Sequence, residues 1–264
     1  MPGLFVYDGS FQGLLTVLQV LRETGEEPDD IRADGAAFQE SLLADTVHVE
    51  TDAERAEKLS YDVCSRISPR ALRQSFYAFL SETREAEYHI YRYLWLGWEL
   101  GVDVDARLGD DHVHTVHRMS RCTGREAHRM YGFLRFRQLE GGLYYAPMES
   151  ECDVLCIVAQ HFLSRMGDQD WMIHDLAREQ AAVYRWGKLA FAAVPGFDPR
   201  LSGEEDLCQG LWKKYFKTIA VAERRNPRLQ ASCMPKKYWK ILVEEPGVSP
   251  ELVVRSTATW RLST

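Results

Sequence analysis

Hydrophobic positions change from strand-like to helix-like spacing within the first residues of the chain. The run Leu4–Asp8 is aromatic and β-branched, which predicts a short strand. After the turn at Gly9-Ser10, apolar residues recur at helical spacing from Phe11 to Leu21 and predict an amphipathic helix. Residues 24–34, rich in Gly, Pro and acids, predict a loop, and Thr46–Glu50 predicts a second short strand.

The next eighty residues have helical periodicity. Residues 52–101 predict three helices, with a fresh start where Ser68 can cap a helix and Pro69 fits its first turn. The third of these helices has a strongly aromatic face, and a stripe of this kind at helical spacing is typical of a packed core. Residues 111–131 predict one further helix.

Strands dominate the pattern after residue 132. Residues 133–137 alternate apolar and basic side chains, and Gly141-Gly142 supplies a turn before a second strand-like segment at 143–146. This pattern predicts a β-hairpin with one basic edge or face. The remaining pattern predicts a helix at 153–165, strands at 171–176, 180–186 and 188–194, and helices from Glu204 onward.

Helices and strands cluster along the chain rather than alternating strictly. This order favours an α+β fold over a doubly wound sheet. We predict a helical N-terminal half with a short N-terminal strand, followed by a mostly antiparallel sheet with flanking helices. The predicted organisation is a single α+β domain over 1–245 with a helical subregion at 52–131, and a weakly ordered C-terminal tail at 246–264.

Composition narrows the class of protein. A hydrophobic fraction of 45% with 11% aromatic residues supports packed cores and excludes disordered and fibrous classes. The longest apolar runs are far short of the ~20 residues that cross a bilayer, and the first residues lack a basic secretory start, so we expect a cytoplasmic protein without a membrane partner. Six scattered cysteines indicate reduced thiols.

The net charge of −7 conceals two basic islands. The first basic island, 118–137, has six arginines and one acid, and the second basic island, 211–240, has nine Lys or Arg and one acid. Together they carry +13, which leaves −20 for the rest of the chain. Positive charge concentrated in two segments indicates that these segments bind an anionic partner.

The composition of both islands suits DNA that contains a single-stranded or flipped nucleotide. Cations fix the register of the phosphates, and exposed aromatic rings stack on unpaired bases. The alternative is a solvated helix face whose charge is balanced by acids elsewhere in the chain, with Trp239 in the core. The candidate nucleic-acid-binding residues are Arg125, His128, Arg129, Arg135, Arg137, Lys213, Lys214, Lys217, Arg224, Arg225, Asn226, Arg228, Lys236, Lys237, Tyr238 and Trp239.

Motifs for self-contained catalysis or metal binding are weak. The string of His112, His114 and His117 matches no common zinc pattern, and the pair Cys152 and Cys156 lacks a second pair of ligands. We therefore predict no metal and no cofactor in this chain. Candidates for catalysis are His128 as an acid or base, and Lys217 or Lys237 as a Schiff-base lysine.

Seven segments resemble, in the same order, a bacterial family called probable DNA metabolism proteins. They are Phe5–Leu15, Gly124–Met130, Gly132–Phe136, Leu143–Met148, Trp212–Lys217, Ala222–Gln230 and Met234–Lys240. The resemblance implies a role in DNA repair or modification beside a putative radical-SAM DNA modification or repair protein, and longer members resemble fusions to a uracil-DNA-glycosylase-like domain. It places S-adenosylmethionine and an iron–sulfur cluster in that partner only.

The resemblance carries over to thirteen of the candidate positions. These are Arg125, His128, Arg129, Arg135, Lys217, Arg224, Arg225, Asn226, Arg228, Lys236, Lys237, Tyr238 and Trp239. Three functions stay open at this point. The first is a DNA-binding protein that binds or presents a modified or damaged base to its partner. The second is a DNA-processing enzyme of glycosylase or lyase type, and the third is a protein-interaction module that stabilises the partner.

Overall fold

A computed structural model describes residues 3–35, 46–221, 224 and 226–244. The predicted α+β class is confirmed, with helices dominating the first half and a mostly antiparallel sheet in the second. The chain divides into two compact units, Met1–Arg125 and Glu126–Thr264, and the division falls within one helix. A single domain over 1–245 stays a prediction, and the tail at 246–264 lies outside the described residues.

The described residues of the first unit form three short strands, five α-helices and one 3₁₀-helix, and the last α-helix continues into the second unit. Its elements are β1 (Leu4–Tyr7), α1 (Phe11–Thr24), β2 (Asp30–Ala33), β3 (Thr46–His48), α2 (Ala53–Arg66), α3 (Pro69–Phe79), α4 (Ala86–Leu100), a 3₁₀-helix (Gly101–Ala106) and α5 (Asp111–Phe133). Ser68 caps α3 by accepting a hydrogen bond from the Ala71 amide at 3.0 Å, as the sequence predicts.

The strands of the first unit form a parallel sheet in the order β2-β1-β3. Phe5 in the central strand lies opposite Ile31 and Val47. The prediction of a loop over 24–34 is wrong for its last residues, which form β2. Only Ile31 in that strand is a strong strand former, so backbone pairing with β1 decides the local structure.

The aromatic face of α4 lies in the core of the first unit, as predicted. Tyr91 and Tyr93 are buried together with Leu94, and Trp95 and Trp98 pack against this core from partly buried positions. The leucines of α1 pack into the same cluster. The stripes read from the sequence therefore mark the hydrophobic core of this unit.

Gly13 in α1 allows a close approach between the helix and the end of β1. A Cβ atom at this position would lie 2.3 Å from Asp8 Oδ1 and 2.8 Å from Thr51 Oγ1. We expect Gly13→Ala to lower the free energy of unfolding by roughly 1–2 kcal/mol because these two side chains and that of Tyr7, whose Cδ2 atom is also 2.8 Å away, must move. Urea denaturation measures the change, with Gly109→Ala as the control since no atom lies within 4 Å of its Cβ position. Equal stability of the two variants would contradict this packing.

The second unit begins with the last turns of α5 and is built around a five-stranded sheet. Its further elements are β4 (Arg137–Gln138), β5 (Tyr144–Met148), α6 (Leu155–Arg165), β6 (Trp171–Asp175), β7 (Gln180–Arg185), β8 (Lys188–Ala193), α7 (Glu205–Ile219), α8 (Pro227–Cys233) and a 3₁₀-helix (Lys236–Ile241).

The sheet of the second unit has the order β4-β5-β6-β7-β8, and only the β5–β6 pair is parallel. The predicted hairpin is present, but its first strand is shorter than predicted because Phe133 ends α5 and pairing starts at Arg137. Gly141 and Gly142 both have a φ near +90°, which a glycine adopts without strain. Among the described residues, no helix is long and apolar enough to cross a membrane.

Candidate nucleic-acid interface

The two basic islands meet within the second unit. The 3₁₀-helix Lys236–Ile241 of the second basic island lies against the end of α5, where the Tyr238 ring packs on Phe133 with centroids 5.3 Å apart. The Tyr238 hydroxyl donates to both carboxylate oxygens of Glu126, at 2.8 and 2.6 Å. Residues more than a hundred positions apart in sequence therefore share one hydrogen-bond network.

Glu126 is the centre of this network. Its side chain is 2% exposed and also accepts a hydrogen bond from Arg129 at 2.9 Å. Burial and the hydrogen bond to Glu126 raise the pKa of Tyr238 to about 12. Since Tyr238 itself is buried, its ring cannot serve as the exposed stacking platform that the sequence analysis expects.

Two other arginines of the first basic island are held by contacts inside the unit. Arg135 forms a bidentate pair with Glu244, with Nε at 3.2 Å from each carboxylate oxygen. Burial works against the ionised carboxyl of Glu244, but hydrogen bonds and the charge of Arg135 outweigh it and lower its pKa. Arg137 is half-buried, donates to the Ile241 carbonyl at 3.4 Å, and has its pKa lowered by burial. Both guanidinium groups therefore have partners within the unit.

Two lysines of the second basic island are also neutralised. Lys237 Nζ lies 2.6 Å from Glu151 and 3.8 Å from Glu126, and Lys240 pairs with Glu149. Burial favours the neutral amine of Lys237, but the acidic partners outweigh it and raise its pKa. Glu244, Glu151 and Glu149 lie outside both basic islands in sequence. A count of charges within each island therefore does not show that these acids neutralise part of it.

A different group of cations is exposed without an acidic partner. Within the part of the chain that the structure describes, no carboxylate lies within ion-pair distance of any of them. We call this group the α7–α8 cations; its members are Lys213, Lys214, Lys217, Arg224 and Arg228. Lys213 and Lys217 are four residues apart on α7 and so project from one helical face. This segment is the best candidate for binding an anionic ligand.

The other predicted residues have varied surroundings. Arg125 and His128 are exposed on α5, but Arg125 belongs to the first unit. Asn226 caps α8 by accepting from the Leu229 amide at 3.0 Å, and Arg225 lies outside the described residues. Trp239 is half-buried and donates from its indole N–H to the Met234 carbonyl, with Lys236 over its ring at 5.8 Å.

Three aromatic residues of α7 are absent from the residues predicted from the sequence. Trp212, Tyr215 and Phe216 are exposed side chains, although their helical spacing is typical of a core-facing stripe. Lysines between the rings of such a stripe occur whether its face is buried or exposed, so the sequence carries no signal that distinguishes the two.

Two histidines of the predicted string, His112 and His117, contact polar side chains within the first unit. His117 Nε2 lies 2.7 Å from Asp105 Oδ1, and Asp105 also accepts from Tyr93 at 2.8 Å. His112 and His89 approach through their Nδ1 atoms at 3.0 Å. Among the described residues, no group of three or more His, Cys, Asp or Glu side chains is arranged to hold a metal ion.

Comparison with known families gives one match. A family model described as a domain of unknown function, DUF4130, matches residues 84–244, more than half of the chain. The match begins just before α4 and ends at Glu244, so it includes the α7–α8 cations and the Glu126 network. No curated protein matches the chain.

Proposed function

The chain belongs to the DUF4130 family, and from that premise we propose that it is a cytoplasmic DNA-binding protein of DNA repair or modification. In this proposal the α7–α8 cations bind the phosphate backbone. The protein binds or presents a modified or damaged base to a radical-SAM partner, as the resemblance to probable DNA metabolism proteins implies.

One observation carries the proposal: five exposed cations within sixteen residues have no acidic partner among the described residues, in a protein whose net charge is −7. Elsewhere in the second unit, cations such as Arg129, Arg135 and Lys237 have acidic partners. Cations that the protein leaves unneutralised attract external anions, and repeated cations along a helix match the repeated charge of a nucleic-acid backbone.

The proposed affinity rests on backbone charge. If four or five of the α7–α8 cations each neutralise a phosphate, log K falls with log salt with a slope on the order of −4, because each contact releases condensed counterions. Phosphate contacts position the protein without reading sequence. We therefore expect binding that depends strongly on salt and weakly on base sequence.

The enzyme alternative has less support from these contacts. A Schiff-base lysine must be neutral to attack a sugar aldehyde, whereas the acids beside Lys237 raise its pKa. His128 is exposed and its ring lies beside Tyr131, with centroids 6.1 Å apart. Lys217 stays a candidate nucleophile, and borohydride trapping on abasic DNA would detect it.

The interaction-module alternative is favoured by the exposed apolar side chains of α7, of which Leu207 and Leu211 are the most exposed. Such a surface is a common feature of protein contacts. Co-purification with the radical-SAM partner that survives nuclease treatment would support this alternative over an assembly bridged by DNA.

The direct test is a binding measurement with the full chain. Fluorescence anisotropy with labelled single-stranded, duplex and mismatched 20-nucleotide DNA at about 50 mM salt would show saturable binding to at least one of them if the proposal is right. Absence of binding to all three would overturn it.

A further inference from the structure

Helix α7 carries three aromatic rings that stay exposed in the second unit. Trp212, Tyr215 and Phe216 are 40%, 55% and 39% exposed, and Glu205 is the only buried residue of the helix. Large aromatic side chains normally contribute most to a core or an interface. Three exposed aromatic side chains on one helix therefore indicate a ligand-binding surface.

The three exposed rings share one face of α7, at positions i, i+3 and i+4, and lysines flank that face. Residues 212–217 read Trp-Lys-Lys-Tyr-Phe-Lys, so every ring in this segment is next to a lysine in sequence. These lysines are exposed and belong to the α7–α8 cations. Rings that stack on bases and cations that follow the phosphates are the two components of sequence-tolerant binding to a single strand.

Contacts within the unit restrict the orientation of the first ring. The Trp212 indole N–H donates to Glu244 Oε2 at 3.1 Å, and the Arg135 guanidinium lies 5.8 Å from the ring centroid. Tyr215 lies next to it, with ring centroids 5.9 Å apart. A ring held in place loses less conformational entropy when a base stacks on it.

The chemistry favours unpaired nucleotides over two other ligands. In a duplex, the faces of the bases are covered by their neighbours, so a ring on a helix surface cannot stack on them without unstacking the pair. A protein partner is disfavoured because three lysines flank the aromatic face, and lysine is depleted from protein interfaces relative to the rest of the surface.

We propose that α7 binds single-stranded or unpaired nucleic acid by stacking bases on Tyr215, Trp212 and Phe216, while Lys213, Lys214 and Lys217 hold the phosphates. This inference rests on the proposed DNA-binding function and names its substrate class. It also replaces the buried Tyr238 with Tyr215 as the principal stacking residue.

The test compares a labelled dT20 strand with a 20-base-pair duplex for four variants of the full chain. We expect wild type to bind dT20 at least about fivefold more tightly than the duplex, and Tyr215→Ala to lose about fivefold or more on dT20 with little change on the duplex. Tyr215→Phe keeps the ring and should bind as wild type. The matched controls are Leu211→Ala on the same helix and Tyr61→Ala in the first unit, which are 59% and 73% exposed.

The outcomes separate the two proposals. Equal binding of duplex and dT20 by wild type, or unchanged dT20 binding by Tyr215→Ala, would overturn the preference for unpaired strands while leaving DNA binding in place. No binding to either probe would overturn the proposed function itself. If Leu211→Ala weakens dT20 binding as much as Tyr215→Ala does, the rings have no special role and the inference fails.

Discussion

Removing two charges from one face of α7 is expected to weaken the binding of single-stranded DNA by about 15-fold at 0.15 M salt. The double variant Lys213→Gln with Lys217→Gln deletes two exposed cations four residues apart. Each phosphate contact on a single strand contributes a factor of about four at this salt concentration through counterion release, so two contacts multiply to roughly 15. Fluorescence anisotropy with dT20 measures the loss.

The matched control removes two cations that already have acidic partners. Lys237→Gln with Lys240→Gln changes the net charge by the same amount, but Glu151 and Glu149 neutralise these lysines in the protein. We expect less than about threefold weakening from this control, because long-range charge is screened at 0.15 M salt. If both double variants lose affinity equally, only net charge matters and the location of the interface on α7 is wrong.

Glu126→Ala is expected to lower the free energy of unfolding by about 3 kcal/mol. The carboxylate is buried and accepts hydrogen bonds from Tyr238 and Arg129, so its removal leaves a buried hydroxyl without its acceptor and a guanidinium without its charge partner. Tyr238→Phe removes only one donor, and we expect a smaller loss of about 1–2 kcal/mol. Urea denaturation followed by circular dichroism gives both values.

An exposed acid provides the comparison for Glu126. Glu151 pairs with Lys237, but its side chain is 66% exposed, so we expect Glu151→Ala to change stability by less than about 0.5 kcal/mol. A Glu126→Ala variant as stable as Glu151→Ala would show that the network does not hold the 3₁₀-helix Lys236–Ile241 against α5.

Local patterns predict most of the elements of this fold. The apolar spacing of α1, the cap at Ser68 and the aromatic stripe of α4 are each specified by neighbouring residues, and the structure has them where the sequence predicts. Strand β2 was not predicted, because a four-residue strand with one strong strand former depends on its pairing with β1.

The candidate site is less predictable for a physical reason. Counting charges along the chain treats Arg135 and Lys217 alike, yet Glu244 neutralises the first and no described carboxylate pairs with the second. The neutralising acid lies 109 positions away in sequence. The same limit applies to the aromatic residues: Tyr238 is buried and Tyr215 is exposed, although both are next to lysines. Only tertiary contacts distinguish them.

The central claim is that the α7–α8 cations bind a nucleic-acid backbone. The most direct measurement is the dissociation constant of the wild-type chain for dT20 between about 50 and 300 mM salt. The predicted result is a linear fall of log K with log salt with a slope on the order of −3, as four or five phosphate contacts on a single strand require. Binding with a slope near zero, or no binding at the lowest salt concentration, would contradict the claim.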